Sequence, residues 1–297
     1  MGYINIFVAS QSKINIKDSQ LVLDNGNQKL TYPIEDINSV VIDNTQSYLS
    51  CYTISKLSQY GIVTYVCDEK HIPNGLILPF CTHYHTLNIY EKQINLSKPL
   101  QKQLWQSIIK NKIDNQNEVL NICGIVDVLK QLSKTVQSGD AGNNEAKASL
   151  VYFKYLFGKD FTRSKDIVIN DCLNYGYTIV RGIVARSIVA HGLLPFVGVF
   201  HHNQYNQYNL ADDLMEIFRP LVDLYVISKF KETIALDAKT KFLLQDIINY
   251  EVVINNQRQT LNNAIDIVVE GYLKSIKTGE NKLKAVFLIG LSRHEYE

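Results

Sequence analysis

The chain has no Cys-x-x-Cys pair, and its five cysteines, Cys51, Cys67, Cys81, Cys123 and Cys172, are odd in number and widely spaced. That argues against both a disulfide framework and a thiolate zinc site, and leaves the cysteines as buried thiols of a reducing cytosol. No stretch stays apolar for the roughly 18 residues that a membrane span requires. The opening MGYINIFVASQSKINIKD lacks the basic segment and long apolar run of a secretory leader. The expectation is a cytoplasmic protein with no membrane contact. An excess of charge is missing too: 30 basic against 29 acidic residues leave a formal charge of +1. Nucleic-acid binding would therefore have to rest on basic side chains gathered locally. Internal repeats and low-complexity tracts are absent.

What is present is a globular composition, 46% hydrophobic and 20% charged over 297 residues, enough for two compact domains or one large one. The periodicity changes along the chain. From Tyr3 to about Pro79 it is short and strand-like, in YINIFVA, KINIK, LVLDNGNQKLTY and INSVVID. Asn25-Gly26, between Leu21-Val22-Leu23 and Leu30-Thr31-Tyr32, predicts a tight hairpin whose turn positions both take positive φ. Residues 47–60 carry helical spacing that stops at Gly61, and a buried strand is expected over 62–66. From about Lys98 the period becomes helical, with Leu100, Leu104, Ile108 and Ile109 three to four residues apart. Residues 80–97 form the junction. His83 and His85 alternate there without a third ligand nearby, which favours an ordinary surface reading. The fold class expected is α+β: a small N-terminal β-rich domain over 1–85 and a larger all-α domain over 86–297.

Residues 191–220, HGLLPFVGVFHHNQYNQYNLADDLMEIFRP, hold most of the chemistry. Adjacent His201 and His202 precede a helical segment in which Asp213 and Glu216, three apart, share one face. Imidazole with carboxylates is a ligand set for hydrolytic or phosphoryl-transfer metals. Taken singly, each has a plainer use: Asp212 and Asp213 suit the positive end of a helix dipole, Glu216 a solvated face, and either histidine the end of the apolar run FVGVF. Upstream, Gly142, Asn143 and Asn144 read as a turn and cap that place Glu145 in the first turn of a helix. The small residues Ala146, Ala148 and Ser149 behind it admit a close neighbour. Glu145 also serves as a simple dipole partner in that position.

Three pieces in this order, GDAGNNEAKASLVYF, INDCLNYGYTIVRGIVARSIVAHGLLP and GVFHHNQYNQYNLADDLMEIFRP, resemble the CRISPR-associated spacer-acquisition integrase, the Cas-one family. The last piece most resembles the branch that accompanies type II CRISPR systems. The resemblance covers essentially the whole chain and implies the same β-rich and helical domains, the first of them used in dimerisation. It also implies an activity, metal-dependent DNA cleavage and strand transfer, in which a 3′-hydroxyl of a captured fragment attacks a phosphate at a CRISPR repeat. Carried over by motif, the metal-binding glutamate falls on Glu145, the histidine on His201 and the second acidic ligand on Glu216. Asp213 matches an additional acidic position, and His202 stands as a rival to His201 because this chain has two adjacent histidines. The ion implied is Mg²⁺ or Mn²⁺, which takes carboxylate oxygen, with imidazole acceptable to Mn²⁺.

The partners implied are DNA as fragment and repeat, a second copy of the chain, the small Cas-two protein and other type II adaptation proteins. Arg163, Lys165, Arg181, Arg186 and Arg219 cluster in sequence around the site residues as candidate phosphate contacts. Asn174, Tyr175 and Tyr177 form either a wall of the site or packed core. The ligand set alone also permits a generic metal-dependent phosphohydrolase, and the fold alone a non-catalytic nucleic-acid-binding scaffold. The C-terminal LKAVFLIGLSRHEYE reads as a last apolar element without chemistry.

Overall fold

The computed structural model describes residues 4–69, 73–80, 86–165 and 167–295, so that Cys81, His83 and His85 lie outside the described residues. The chain divides into two compact units, residues 1–82 and 83–297.

In the first unit, the described strands are β1 (Ile4–Val8), β2 (Lys13–Lys17), β3 (Gln20–Asp24), β4 (Lys29–Pro33), β5 (Ile37–Ile42), β6 (Tyr48–Leu49), β7 (Val63–Cys67) and β8 (Pro73–Ile77). They form two sheets, ordered β1-β5-β7-β8 and β4-β3-β2-β6. Every residue of β5 is buried, and it runs parallel to both β1 and β7. Residues 40–42 form an apolar run rather than an alternation, as cover on both faces requires, while buried Asn38 and Ser39 donate to the Asn5 carboxamide oxygen. Ile14, Leu21, Val40 and Leu57 lie at the centre of the core. Helix α1 (Cys51–Gln59) supplies Leu57, and it starts four residues later than the spacing predicts. Ser50 is the reason: its hydroxyl accepts the Thr53 amide proton at 3.1 Å and caps the helix. Tyr48–Leu49 pairs instead with Lys13–Ile14.

The hairpin predicted at Asn25-Gly26 joins β3 to β4, with Leu21 opposite Tyr32 and Leu23 opposite Leu30. Its connection is longer than a two-residue turn. Gly26 alone among residues 25–28 takes positive φ, and the Asn25 carboxamide oxygen accepts the amides of Asn27 and Gln28. The tight turn lies one hairpin earlier, where Asp18 and Ser19 take φ of 50° and 57° between the paired Lys17 and Gln20.

The second unit contains α2 (Thr86–Ile94), α3 (Lys98–Ile122), α4 (Lys130–Lys134), α5 (Asn144–Phe157), α6 (Val168–Ala190), α7 (Asn209–Met215), α8 (Arg219–Lys229), α9 (Ala238–Gln245) and α10 (Leu261–Thr278). Helix α3 buries the expected Leu100, Leu104, Ile108 and Ile109 and packs against α4, α5, α7 and α8. Helix α6 packs against α7, α8, α9 and α10. Its Gly176 lets α8 come close, since a Cβ there would lie 2.7 Å from Val222 Cγ1.

This unit also holds β9 (Glu251–Ile254), β10 (Gln257–Thr260) and β11 (Val286–Phe287) in an antiparallel sheet ordered β10-β9-β11. Asn255 and Asn256, at φ of 52° and 61°, make the β9–β10 turn. The Asn111 carboxamide of α3 bonds both backbone groups of Val286, donating at 2.7 Å and accepting at 2.8 Å. The C-terminal apolar element is thereby tied to the longest helix. Cys67 and Cys172 are buried as expected; Cys51 and Cys123 are exposed, which corrects the reading of them as buried thiols. No described helix is long and apolar enough to cross a membrane.

Candidate active site

Glu145 stands in the first turn of α5, as its sequence context predicts. The start of that helix is held by Asp140, whose two carboxylate oxygens accept the amide protons of Asn144 at 2.8 Å and Glu145 at 3.0 Å. The cap is thus an acid upstream of the Gly142-Asn143 turn, and it satisfies two amides that a helix start leaves without partners. Glu216 follows the last residue of α7, three residues before α8 begins, and is buried.

The two glutamates meet on one cation. Lys112 Nζ lies 2.7 Å from Glu145 Oε1 and 2.6 Å from Glu216 Oε2, while Arg219 Nε lies 2.7 Å from the other Glu216 oxygen. Burial disfavours the Lys112 ammonium, but the charges of Glu216 and Glu145 outweigh it and hold its pKa above the ordinary lysine value. Burial likewise opposes ionisation of Glu216, and Lys112 with Arg219 more than offsets it, so its carboxyl titrates below the usual range. Two hard oxygen donors converging on one cationic centre fit Mg²⁺ or Mn²⁺ in chemistry. Among the described residues, no trio of His, Cys, Asp and Glu is closed into a ligand cluster, and the Lys112 ammonium pairs with both carboxylates.

His201 sits in the loop between α6 and α7. Its Nδ1 lies 2.5 Å from Asp213 Oδ1. Asp213 is fully buried and is otherwise engaged by the backbone amides of Val199 at 2.6 Å, Phe200 at 2.8 Å and His201 at 3.4 Å. It therefore shapes the loop and holds the imidazole. The hydrogen bond to Asp213 raises the pKa of His201, burial opposes it, and the charges of Asp213, Glu216 and Glu145 add to the rise. All three motif residues thus share one electrostatic neighbourhood. The loop is pressed onto α3 by Trp105, whose ring stacks on Phe200 at 4.3 Å and meets His201 edge-on at 5.7 Å. His202 is exposed and lines a different cavity, with Lys98, Lys102 and Trp105.

Glu145, Glu216 and Lys112 line a cavity of about 260 Å³ together with Gln116, Arg163, Tyr177, Arg219 and Asp223. Tyr177 forms part of its wall, its hydroxyl donating to Asp223, and the guanidinium carbons of Arg219 and Arg163 lie 4.6 and 5.3 Å from its ring centre. Tyr175 belongs to the core, and exposed Asn174 accepts from Arg163 at 2.6 Å. Of the remaining basic candidates, Arg186 is buried and donates to Asn262, Arg181 pairs with Asp212 at 3.7 Å, and Lys165 donates to the Asp160 carbonyl. Only Arg163 and Arg219 of that group line this cavity. Sequence reasoning missed Lys112 and Asp223. A lysine on the Leu104–Ile108 stripe of α3 was the available signal for the first.

Asp223 has a measurable consequence. Burial pushes its carboxyl up to about 6, although Tyr177 and the nearby arginines pull the other way. An unfolded aspartate titrates near 3.9, so between about pH 4 and 6 the native state holds a proton that the unfolded state has lost. Stability from this group is full below pH 4 and falls as pH rises through 6. Asp223→Asn removes that dependence and is expected to be more stable than the parent at pH 8 by about 1–3 kcal/mol. Urea unfolding at pH 4 and pH 8 checks it; identical pH slopes in parent and variant would refute the assignment.

The model of the family described as CRISPR associated protein Cas1 matches residues 6–242, a span that includes Lys112, Glu145, His201, Asp213 and Glu216. The chain is 34% identical over 304 residues to the CRISPR-associated endonuclease Cas1 of Neisseria meningitidis serogroup C (strain 8013), covering 100% of both sequences. Among solved structures, a casposase bound to integration product superposes with a TM-score of 0.78 at 19% identity, over 95% of this chain and 92% of that one. A CAS1 protein from Thermotoga maritima gives 0.76 at 16% identity, over 94% and 99%. These two share the fold, and the family model and the full-length relative carry the assignment: the chain belongs to the Cas1 family of CRISPR-associated proteins.

Proposed function

We propose that this protein is the DNA integrase and endonuclease of CRISPR adaptation, joining the 3′-hydroxyl of a captured fragment to a backbone phosphate of repeat DNA. The observation that carries the reading is the convergence of Glu145 and Glu216, from separate elements, on one cationic centre beside an Asp213-anchored His201. Glu145, Glu216 and His201 would hold Mg²⁺ or Mn²⁺. When bound, the ion stabilises charge on the attacking and leaving oxygens of a phosphodiester. The chain itself does the rest. Asp213 accepts from Nδ1 and so leaves Nε2 as the ligating nitrogen, the arrangement usual for metal-bound histidine. Arg163 and Arg219 bring positive charge to the cavity in which a phosphate must lie. The Asp213 contact to the His201 ring favours His201 over His202 for this set.

The protein acts in the cytoplasm as a homodimer, with the N-terminal unit in the dimer contact, together with the Cas-two protein and other type II adaptation proteins. Incubating a duplex oligonucleotide bearing free 3′-hydroxyls with repeat-containing DNA, with Mn²⁺ and then with a chelator, tests the reading. Joining that the chelator abolishes is expected. Nucleotide hydrolysis without joining would make the protein a phosphohydrolase, and DNA binding indifferent to metal would make it a scaffold; either result overturns the proposal.

A further inference from the structure

Lys112 lies inside the helical unit, its side chain 8% exposed, with its ammonium between the two acidic residues that the proposed function gives to a metal. A buried lysine is costly unless paired. Here the pairing is double, and the cluster of Glu145, Glu216, Lys112 and Arg219 balances two negative charges with two positive ones. A divalent ion taking the same two oxygens would place a second cation within a few ångströms of the first, where repulsion in a poorly solvated cavity is strong. The lysine differs from Arg219 in its freedom. Its ammonium ends a flexible four-carbon stem, whereas the Arg219 guanidinium is fixed by Glu216 and by the Tyr177 ring. The cavity beyond it, lined by Gln116, Ser149 and Arg163, leaves the ammonium room to move.

We infer that Lys112 is a resident counter-ion that competes with the catalytic metal for Glu145 and Glu216, and that the metal enters only as the ammonium swings away. The inference rests on the proposed function, since it needs those glutamates to be ligands. In the metal-free protein Lys112 keeps two carboxylates together that would otherwise repel. When DNA arrives, a phosphate in the same cavity gives the displaced ammonium a new anionic partner. Metal and DNA then favour each other's binding through one side chain, a coupling that is reciprocal by thermodynamic necessity. Lys112 is in this sense a positioning residue, acting through the ligands and not on the reacting atoms.

The test is Mn²⁺ titration of the full chain, with free Mn²⁺ read by electron paramagnetic resonance. Lys112→Met is expected to bind Mn²⁺ about tenfold more tightly than the parent, and a short duplex DNA to tighten binding in the parent more than in the variant. Lys112→Arg, which keeps the charge, is expected to bind no more tightly than the parent. A purely structural lysine predicts the reverse for methionine, equal or weaker binding, and that result overturns the inference. Because the methionine variant removes the ammonium from both carboxylates and leaves Glu216 only Arg219, a second measurement uses the parent protein alone. Acylation footprinting should show Lys112 labelled severalfold faster in saturating Mn²⁺, and unchanged labelling counts against competition. If neither parent nor variant binds Mn²⁺, the metal reading itself fails and takes this inference with it; equal binding in both sinks only the inference.

Discussion

Replacing Glu145 with glutamine is expected to lower strand transfer by a factor on the order of 10³ or more while leaving the protein folded. The substitution keeps the size and the hydrogen-bonding shape of the side chain and removes one negative charge. Glu145 is the more exposed member of the acidic pair, at 29% against 8% for Glu216, and Asp140 rather than Glu145 caps α5. Lys112 also keeps Glu216 as a partner in the variant. Little stability is therefore at stake. The corresponding change at Glu216 is a poorer probe, because it removes the buried carboxylate that pairs with both cations, leaving Lys112 with Glu145 alone and Arg219 without its acid. Strand transfer measured beside a thermal melt makes the distinction: a native melting temperature with no joining supports the ligand role. Joining at more than a tenth of the parent rate would remove Glu145 from the site.

How far the sequence foretold this site depends on what each residue does. Glu145 was legible as a first-turn residue because a Gly-Asn turn and a run of small residues flank it, although Asp140 and not an asparagine caps the helix. The β3–β4 hairpin was legible for the same local reason, although its turn was not. Asn25-Gly26 favours a two-residue connection, yet the Asn25 side chain folds back onto Asn27 and Gln28 and widens it. Asp18-Ser19, a weaker turn signal, takes the tight conformation instead, which the pairing of Lys17 with Gln20 requires. Tertiary pairing overrode local preference there. The short β9–β10 hairpin passed unnoticed among helices because its strands have four residues each, too few for a period to declare itself.

Lys112 was visible only as an oddity. It lies on the stripe that buries Leu104, Ile108 and Ile109, a position where lysine makes sense only with an acidic partner, and that partner comes from 33 residues away in sequence. The double histidine posed the opposite problem. Spacing could not choose between neighbours, whereas Asp213 separates them: the His201 ring is tied to a buried carboxylate, a contact set by the tertiary fold.

That separation sets up the last expected result. Asp213→Ala should destabilise the protein by about 3–5 kcal/mol and abolish strand transfer, whereas His202→Ala should leave both near the parent values. The carboxylate is fully buried and engages three successive backbone amides, Val199, Phe200 and His201, besides the imidazole. Alanine would leave those donors without that acceptor, the Val199 amide in a buried place. The chain is built around this carboxylate at Gly198 as well, where a Cβ would lie 2.3 Å from the His201 carbonyl and 2.8 Å from Asp213 Oδ2. No side chain fits there while the loop keeps its shape. Asp213→Asn separates the two roles of the residue. Asparagine preserves the volume and one acceptor oxygen, so more of the stability survives, but the neutral amide holds the Nδ1 proton of His201 less firmly and the ring loses its fixed direction. Denaturant unfolding of the three variants, run beside strand transfer, decides the matter. If Asp213→Ala stays within about 1 kcal/mol of the parent, the loop is held by other contacts such as the Trp105–Phe200 stack. If Asp213→Asn joins DNA at the parent rate, fixing the imidazole does not limit the reaction.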